Sequence, residues 1–121
     1  MHDEPKPFRS RASLLPLTPL SFEILLALLD GPQHGYALLQ AVEARARGVL
    51  PLRTGTMYRA LARLMDEGLI EDAPGGDAAD DRRRAYRITP EGRAIARAEA
   101  SRLADQVAAA HAHRLLPRGR R

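Results

Sequence analysis

The chain has 121 residues, 45% of them hydrophobic, which is enough for one small domain with a modest core. It has no cysteine, so a disulfide framework and a thiolate metal site are excluded. The longest strongly apolar run, residues 24–29, is far shorter than the roughly 20 residues of a membrane-spanning helix, and the N-terminus lacks the apolar stretch of a signal peptide. We therefore expect a cytoplasmic protein with no membrane partner.

The distribution of charge says more than its total. Nineteen basic and fifteen acidic residues give a net charge of only +4. Residues 44–65, however, contain five arginines and no acidic residue. Arginine suits bidentate contacts with phosphate and guanine, so this basic block is a candidate phosphate-facing surface. Arginine richness that reflects only genome base composition is an equal alternative.

The first predicted elements are an arm and a helix. Residues 1–17 hold three prolines and no helical periodicity, which predicts a flexible arm. Thr18 can cap a helix, Pro19 fits its first position, and the Gly-Pro pair at 31–32 ends it. Residues 22–29 are apolar apart from one glutamate. Such a helix lacks a solvent face, which indicates packing on several sides and hints at a partner chain.

Two more helices follow. The second is predicted from Gly35 to about Arg47. Thr54 offers an N-cap for the third, which ends at Gly68. Apolar residues recur on one face of the third helix, and a second face is polar and basic, with Thr56, Arg59 and Arg63. The two faces suit a core and a ligand, respectively.

After Gly68 the pattern becomes extended and predicts a two-stranded β-hairpin. Its strands lie at residues 69–71 and 85–89. The long connection has an acidic part, residues 77–81, and a basic part, residues 82–84. The hairpin therefore carries both signs of charge next to each other.

A long helix is predicted at residues 90–116, followed by a basic tail at 117–121. It would span roughly 40 Å at about 1.5 Å per residue, more than so small a domain can cover. Small and apolar side chains form a narrow seam along it, at Ala96, Ala100, Leu103, Val107 and Ala110. The seam predicts dimerisation through this helix, and the alternative is a solvent-exposed tail helix.

The order helix, helix, helix, hairpin, helix is that of a winged helix-turn-helix domain, mainly α with a two-stranded β-hairpin wing, at residues 18–89. In this architecture the third helix enters the major groove and the wing reaches phosphates or the minor groove. The basic block, the polar helix face and the basic arm of the hairpin all coincide with that surface. The architecture therefore predicts binding to double-stranded DNA.

Several motifs in unbroken order then point to a family: LLALL at residues 25–29, GP at 31–32, HGY at 34–36, GTMY at 55–58, Leu61 with RL at 63–64, GLI at 68–70, RRAYRIT at 83–89 and EG at 91–92. With these motifs the chain resembles the PadR-like transcriptional regulators, in their short type with one C-terminal helix. The resemblance implies a homodimeric repressor of transcription. Many members of the family release their DNA when they bind a small effector. Because the chain has no Trp and only five aromatic residues, we expect an aliphatic effector or none.

Each candidate DNA contact has a plainer alternative. Arg59 and Arg63 either reach the groove or are merely solvated. The resemblance implies that Tyr58 donates its hydroxyl to a phosphate, and the alternative is core packing. The wing arginines either reach phosphates or pair with the neighbouring aspartates. The full set of predicted DNA-binding residues is Tyr36, Thr54, Thr56, Tyr58, Arg59, Arg63, Arg82, Arg83 and Arg84.

The predicted dimer interface combines the seam with the first helix. The resemblance implies that part of the first helix joins the C-terminal helix in the interface. The predicted set is Phe22, Leu25, Leu26, Leu29, Ala96, Ala100, Leu103, Val107 and Ala110. A two-fold dimer predicts a pseudo-palindromic operator with half-sites roughly 34 Å apart.

Catalytic and cofactor chemistry has no support in the sequence. It contains no nucleophile-base set, Gly-rich phosphate loop or metal-spaced carboxylates. His111 and His113 are two residues apart and do not share a helix face, and a lone His34 is typically a cap or surface group. We expect neither an enzyme nor a bound cofactor. The alternative to a regulator is a dimeric interaction or effector-binding module without operator binding.

Overall fold

The computed structural model describes residues 13–48, 50, 52–80 and 82–117. Within them the chain forms four helices and a three-stranded antiparallel sheet: α1 (Pro19–Leu28), β1 (Gln33–His34), α2 (Gly35–Ala46), α3 (Thr54–Asp66), β2 (Ile70–Asp72), β3 (Ala85–Ile88) and α4 (Pro90–Ala112). The predicted order of elements and the winged-helix class are confirmed. In this part of the chain, no helix combines the length and the hydropathy needed to cross a membrane.

Helix α1 lies at the centre of the core and packs against α2, α3 and α4. It begins as predicted, since the Thr18 hydroxyl accepts a hydrogen bond from the Ser21 N–H at 3.0 Å. Leu25 has no exposed surface and belongs to the core of its own chain, which corrects its predicted place in the dimer interface. The same correction applies to Ala96 of α4, which is 5% exposed. Helical periodicity turns both residues inward.

The three other interface residues predicted in the first helix are less buried than Leu25. Phe22 and Leu26 are half-buried, and Leu29 is 38% exposed. Their spacing of four and three residues places them on one side of the helix. An all-apolar sequence could not tell these two sides of α1 apart.

The sheet contains one strand more than the sequence predicted. Its order is β1-β3-β2, with Gln33 opposite Tyr86 and Ile70 opposite Ile88. Strand β1 has only two residues, too few for an alternating pattern to reveal it. The Gln33 amide also donates to the Ala27 carbonyl at 2.8 Å, which joins the end of α1 to the sheet.

A hydrogen-bonded junction joins the end of α3 to the start of α4. Gly68 has a φ of 76°, and the N–H of Leu69 donates back to the Leu64 carbonyl at 3.0 Å. The Thr89 hydroxyl donates to the Gly68 carbonyl at 2.7 Å and accepts from the Gly92 N–H at 2.9 Å. The predicted caps at both helix ends thus meet in one place, at the base of the hairpin.

Two predicted helix boundaries differ from the structure. Thr54 is the first residue of α3, and Arg53 holds the N-cap position with an extended backbone and no side-chain hydrogen bond. Helix α4 ends at Ala112 and not near residue 116, because Arg114 takes a left-handed φ of 61° and the Leu115 N–H donates to the Ala110 carbonyl. Glycine usually marks such a stop, so an arginine there gave no signal.

The predicted arm and tail are only partly described. Residues 1–12 and 118–121 lie outside the described residues. Leu17 is buried in the core, and Leu14 and Leu15 pack against it, so the end of the predicted arm is part of the domain. Three leucines within four residues supply enough apolar surface to hold this segment in place.

Helix α4 carries a buried carboxylate. The Glu99 side chain is 3% exposed, and the guanidinium of Arg102 donates to both of its oxygens, at 2.9 and 2.7 Å. These hydrogen bonds hold the pKa of Glu99 below its ordinary value, helped by the Leu17 N–H and opposed by burial. Glu99 thus fastens the segment before α1 to α4.

Replacing Glu99 by glutamine is expected to lower the free energy of unfolding at neutral pH by about 1–2 kcal/mol, since the charge-assisted bonds to Arg102 are lost. A lowered pKa contributes stability that is present above the unfolded-state value and is lost as the pH falls through the folded-state value. The difference between the two proteins, measured by urea unfolding at equal protein concentration, should therefore shrink towards about pH 3. Asp105→Asn, at an exposed carboxylate of the same helix, is the control. A difference of unchanged size in acid contradicts the role assigned to the Glu99 charge.

Candidate nucleic-acid interface

The outward face of α3 is polar and basic. Met57, Leu61 and Leu64 fill the inner face and are at most 1% exposed. Arg59 and Arg63 are exposed on the opposite side, one turn apart. The sequence pattern separated these two faces correctly, because α3 alternates between them at helical spacing.

The beginning of α3 adds further polar groups to this face. Thr54 is exposed and Thr56 is half-buried. Arg59 reaches back along the helix, and its Nη2 donates to the Thr56 Oγ1 at 3.4 Å. The structure therefore brings Thr54, Thr56 and Arg59 together at the first turn.

Tyr58 points inward. It is half-buried and packs against the hydrophobic core, and its hydroxyl oxygen has less than 1 Å² of exposed area. This placement favours the packing role over donation to a phosphate.

The wing is attached to the start of α2. The carbonyls of Arg82 and Arg84 accept hydrogen bonds from the N–H groups of Tyr36 and Gly35, at 3.3 and 2.9 Å. The Arg82 guanidinium lies over the Tyr36 ring, 4.8 Å from its centroid, and Tyr36 remains 45% exposed. Tyr36 and Arg82, predicted separately, thus form one unit. Nothing in the local sequence could reveal a contact between residues so far apart along the chain.

The three wing arginines differ in how their charge is compensated. Arg84 is half-buried and donates to both carboxylate oxygens of Asp72, at 2.6 and 3.1 Å. Hydrogen bonding from Arg84 holds the pKa of Asp72 below its ordinary value. Arg83 is exposed and lies 3.8 Å from Asp80. Arg82 and Arg83 are therefore the more available cations of the wing.

One arginine of the basic block is paired within the domain. Arg45 of α2 donates to Glu23 of α1 at 2.6 Å, and this bond raises the pKa of the arginine. The pair joins two helices of the domain, so the charge of Arg45 is compensated within the fold. The basic character of α3 itself comes from Arg59 and Arg63.

The part of the chain that the structure describes contains no set of side chains suited to bind a metal ion. No group of three or more histidine, aspartate or glutamate side chains there is arranged so that it could hold a metal ion. The ring of His34 instead lies with its Nε2 3.2 Å from the Gly75 carbonyl, where it links β1 to the wing loop.

Known proteins resemble the chain in sequence and in fold. A 37% identity over 81 residues relates the chain to an uncharacterized 37.1 kDa protein in transposon Tn4556 of Streptomyces fradiae. That match covers 67% of the chain, which spans only 22% of the length of the transposon protein.

Two solved structures illustrate the shared fold. A PadR family transcription regulator from Clostridium difficile superposes with a TM-score of 0.64 at 22% identity, covering 79% of this chain and 98% of that one. The BpsR regulator of Bordetella bronchiseptica, whose DNA binding is regulated by 6-hydroxynicotinic acid, gives 0.58 at 22% identity, covering 85% and 76%. At these identities the likeness shows the fold alone.

The family model of the PadR-like transcriptional regulators matches residues 24–98, from α1 into α4. This span contains the outward face of α3, the wing and the start of the C-terminal helix. More than half of the chain is covered, in agreement with the winged-helix fold. The chain belongs to the PadR-like family of transcriptional regulators.

Proposed function

We propose that this chain is a sequence-specific, DNA-binding repressor that acts as a homodimer in the cytoplasm, with no enzymatic step. The observation that carries the proposal is the outward face of α3, where Arg59 and Arg63 are exposed beside Thr54 and Thr56. In a winged-helix domain this helix enters the major groove, and Arg82 and Arg83 of the wing reach the flanking phosphates.

The second half of α4 supports the proposed dimer. No described residue of α4 after Glu99 is buried, although this half carries Leu103, Val107 and several alanines. Helices in proteins gain most of their stability from packing of an apolar face, so a partner that covers this segment would stabilise it. A second copy of α4, together with the outward side of α1, supplies a matching apolar surface.

Two-fold symmetry then dictates the form of the operator. The two α3 helices of a dimer lie in successive major grooves, so the operator is a pseudo-palindrome with half-sites roughly 34 Å apart. Occupancy of such a site near a promoter blocks transcription.

A small effector is proposed to release the DNA. The regulation of BpsR by 6-hydroxynicotinic acid shows that a protein of similar fold can respond to a small molecule. In this chain an effector at the dimer interface would shift the population between two angles of the DNA-binding heads. With few aromatic side chains available for stacking, an aliphatic effector suits the chain better than a flat one.

The test of the proposed function is direct binding. The purified protein is titrated with the duplex upstream of its own gene, and with a scrambled duplex, across a series of salt concentrations. Tight and selective binding that falls steeply with salt is expected. Weak and unselective binding contradicts the proposal and favours the alternative, a dimeric interaction or effector-binding module.

The wing gives a further prediction. Asp72→Asn removes the carboxylate that neutralises Arg84, so the affinity for any duplex at low salt is expected to rise several-fold. The plot of log affinity against log salt is expected to steepen by about one.

The matched control for the wing is Glu71→Gln. Glu71 pairs with Arg87 at 2.8 Å, one residue further from the wing loop, and its replacement changes the net charge equally. Equal steepening by both variants would show that only the total charge matters and that Arg84 has no particular place at the DNA.

A further inference from the structure

We propose that Gly55 is a positioning residue for DNA binding, because its lack of a side chain lets the Arg59 guanidinium lie along the first turn of α3, where it contacts a DNA phosphate. This inference rests on the proposed function and deepens it. It assigns Arg59 to the DNA backbone and gives the glycine of the GTMY motif a physical role.

The backbone at Gly55 does not require a glycine. Gly55 lies in the first turn of α3 and is not among the residues with positive φ. Glycine is an unfavourable residue within a helix, and alanine would be better for the helix itself. The reason for a glycine must therefore be sought in the space around it.

That space is occupied by Arg59. A Cβ built on Gly55 would lie 3.2 Å from Nη1 of Arg59, closer than nine in ten Cβ contacts in proteins. Apart from the adjacent residues and the backbone of the helix itself, the three heavy atoms nearest to that position all belong to the Arg59 guanidinium. Long side chains on a helix point towards its N-terminus, so Arg59 covers the residue four positions before it. A methyl group at position 55 would require the guanidinium to give way by a few tenths of an ångström from its place along the first turn.

The electrostatics of the first turn indicate the chemistry of the ligand. A cation beside a helix N-terminus is unfavourable, because the helix dipole is positive there. The first turn has no acidic residue to compensate, and the N-cap is a second arginine, Arg53. The Arg59 guanidinium is instead held by a 3.4 Å hydrogen bond to the uncharged Thr56 hydroxyl. This cluster of positive charge fits an incoming anion, and on DNA that anion is a phosphate.

A double-mutant cycle of Gly55→Ala and Arg59→Ala tests the inference on the full chain, with affinities measured for operator and scrambled duplexes across a salt series. Arg59→Ala is expected to weaken binding to both duplexes by roughly tenfold and to flatten the salt dependence by about one. Gly55→Ala is expected to weaken binding three- to tenfold in the parent chain. In the Arg59→Ala background it should cost nothing, since the group that it displaces is gone. Its melting temperature should be no lower than that of the parent chain.

Four outcomes overturn the inference. A loss from Gly55→Ala that persists in the Arg59→Ala background shows that the methyl group meets the DNA itself. Unchanged affinity of the single Gly55→Ala variant shows that Arg59 does not need the space. A loss confined to the operator duplex on Arg59→Ala shows a base contact and not a phosphate contact. Absence of salt-dependent binding by the parent chain contradicts the proposed function as well, whereas the other outcomes leave that function intact.

Discussion

Replacement of Arg59 and Arg63 by alanine in the same chain is expected to weaken operator binding by at least about 2 kcal/mol, roughly 30-fold. Both side chains are exposed on the one face of α3 that no other part of the described chain covers. Each provides a guanidinium for phosphate or base edges, and alanine preserves the helix. Titration of a labelled operator duplex at fixed salt measures the loss.

The matched control for this variant removes the same charge elsewhere. Arg93 and Arg97 are exposed on α4, one turn apart, as Arg59 and Arg63 are on α3. Replacing both by alanine should leave operator affinity within about threefold, because these side chains act only through the long-range field, which salt screens. Unchanged affinity after loss of Arg59 and Arg63, or an equal loss in the control, rules out α3 as the recognition helix.

The second large effect is expected from a charge in the seam of α4. Leu103→Asp combined with Val107→Asp should convert the dimer to a monomer and lower operator affinity by about 100-fold or more, since each half-site is then bound alone. Val107 is 54% exposed in the single chain, so a carboxylate there costs the fold of one protomer little. Sedimentation or light scattering reports the mass, and the duplex titration reports the affinity.

Ala108→Asp provides the control for the seam. Ala108 is also exposed and follows Val107 directly, but it points away from the seam. This variant should remain dimeric with unchanged affinity. A dimer that survives both seam substitutions excludes α4 as the principal contact between protomers.

The parts of the fold that the sequence revealed are those with local causes. The Thr-Pro starts of α1 and α4 act through a hydroxyl and a ring within one turn of the chain, and both occur in the structure as predicted. The two faces of α3 were also evident, because its polar and apolar residues are segregated.

The features that the sequence did not reveal depend on tertiary contacts. Strand β1 exists because β3 is beside it, and the stacking of Arg82 on Tyr36 joins residues 46 positions apart. The inward position of Leu25 was hidden for another reason. In a helix that is apolar on all sides, hydrophobicity cannot distinguish the core from an interface.

The attachment of the wing to α2 also limits how this domain can vary. The first N–H groups of a helix need acceptors, and here the carbonyls of Arg82 and Arg84 supply them. A deletion in the wing that removed these carbonyls would leave the first N–H groups of α2 without these hydrogen-bond acceptors. We therefore expect insertions in the acidic part of the loop, before Arg82, to be tolerated better than deletions that remove Arg82. The hydrogen bonds at the start of α2 thus set a minimum length for the wing.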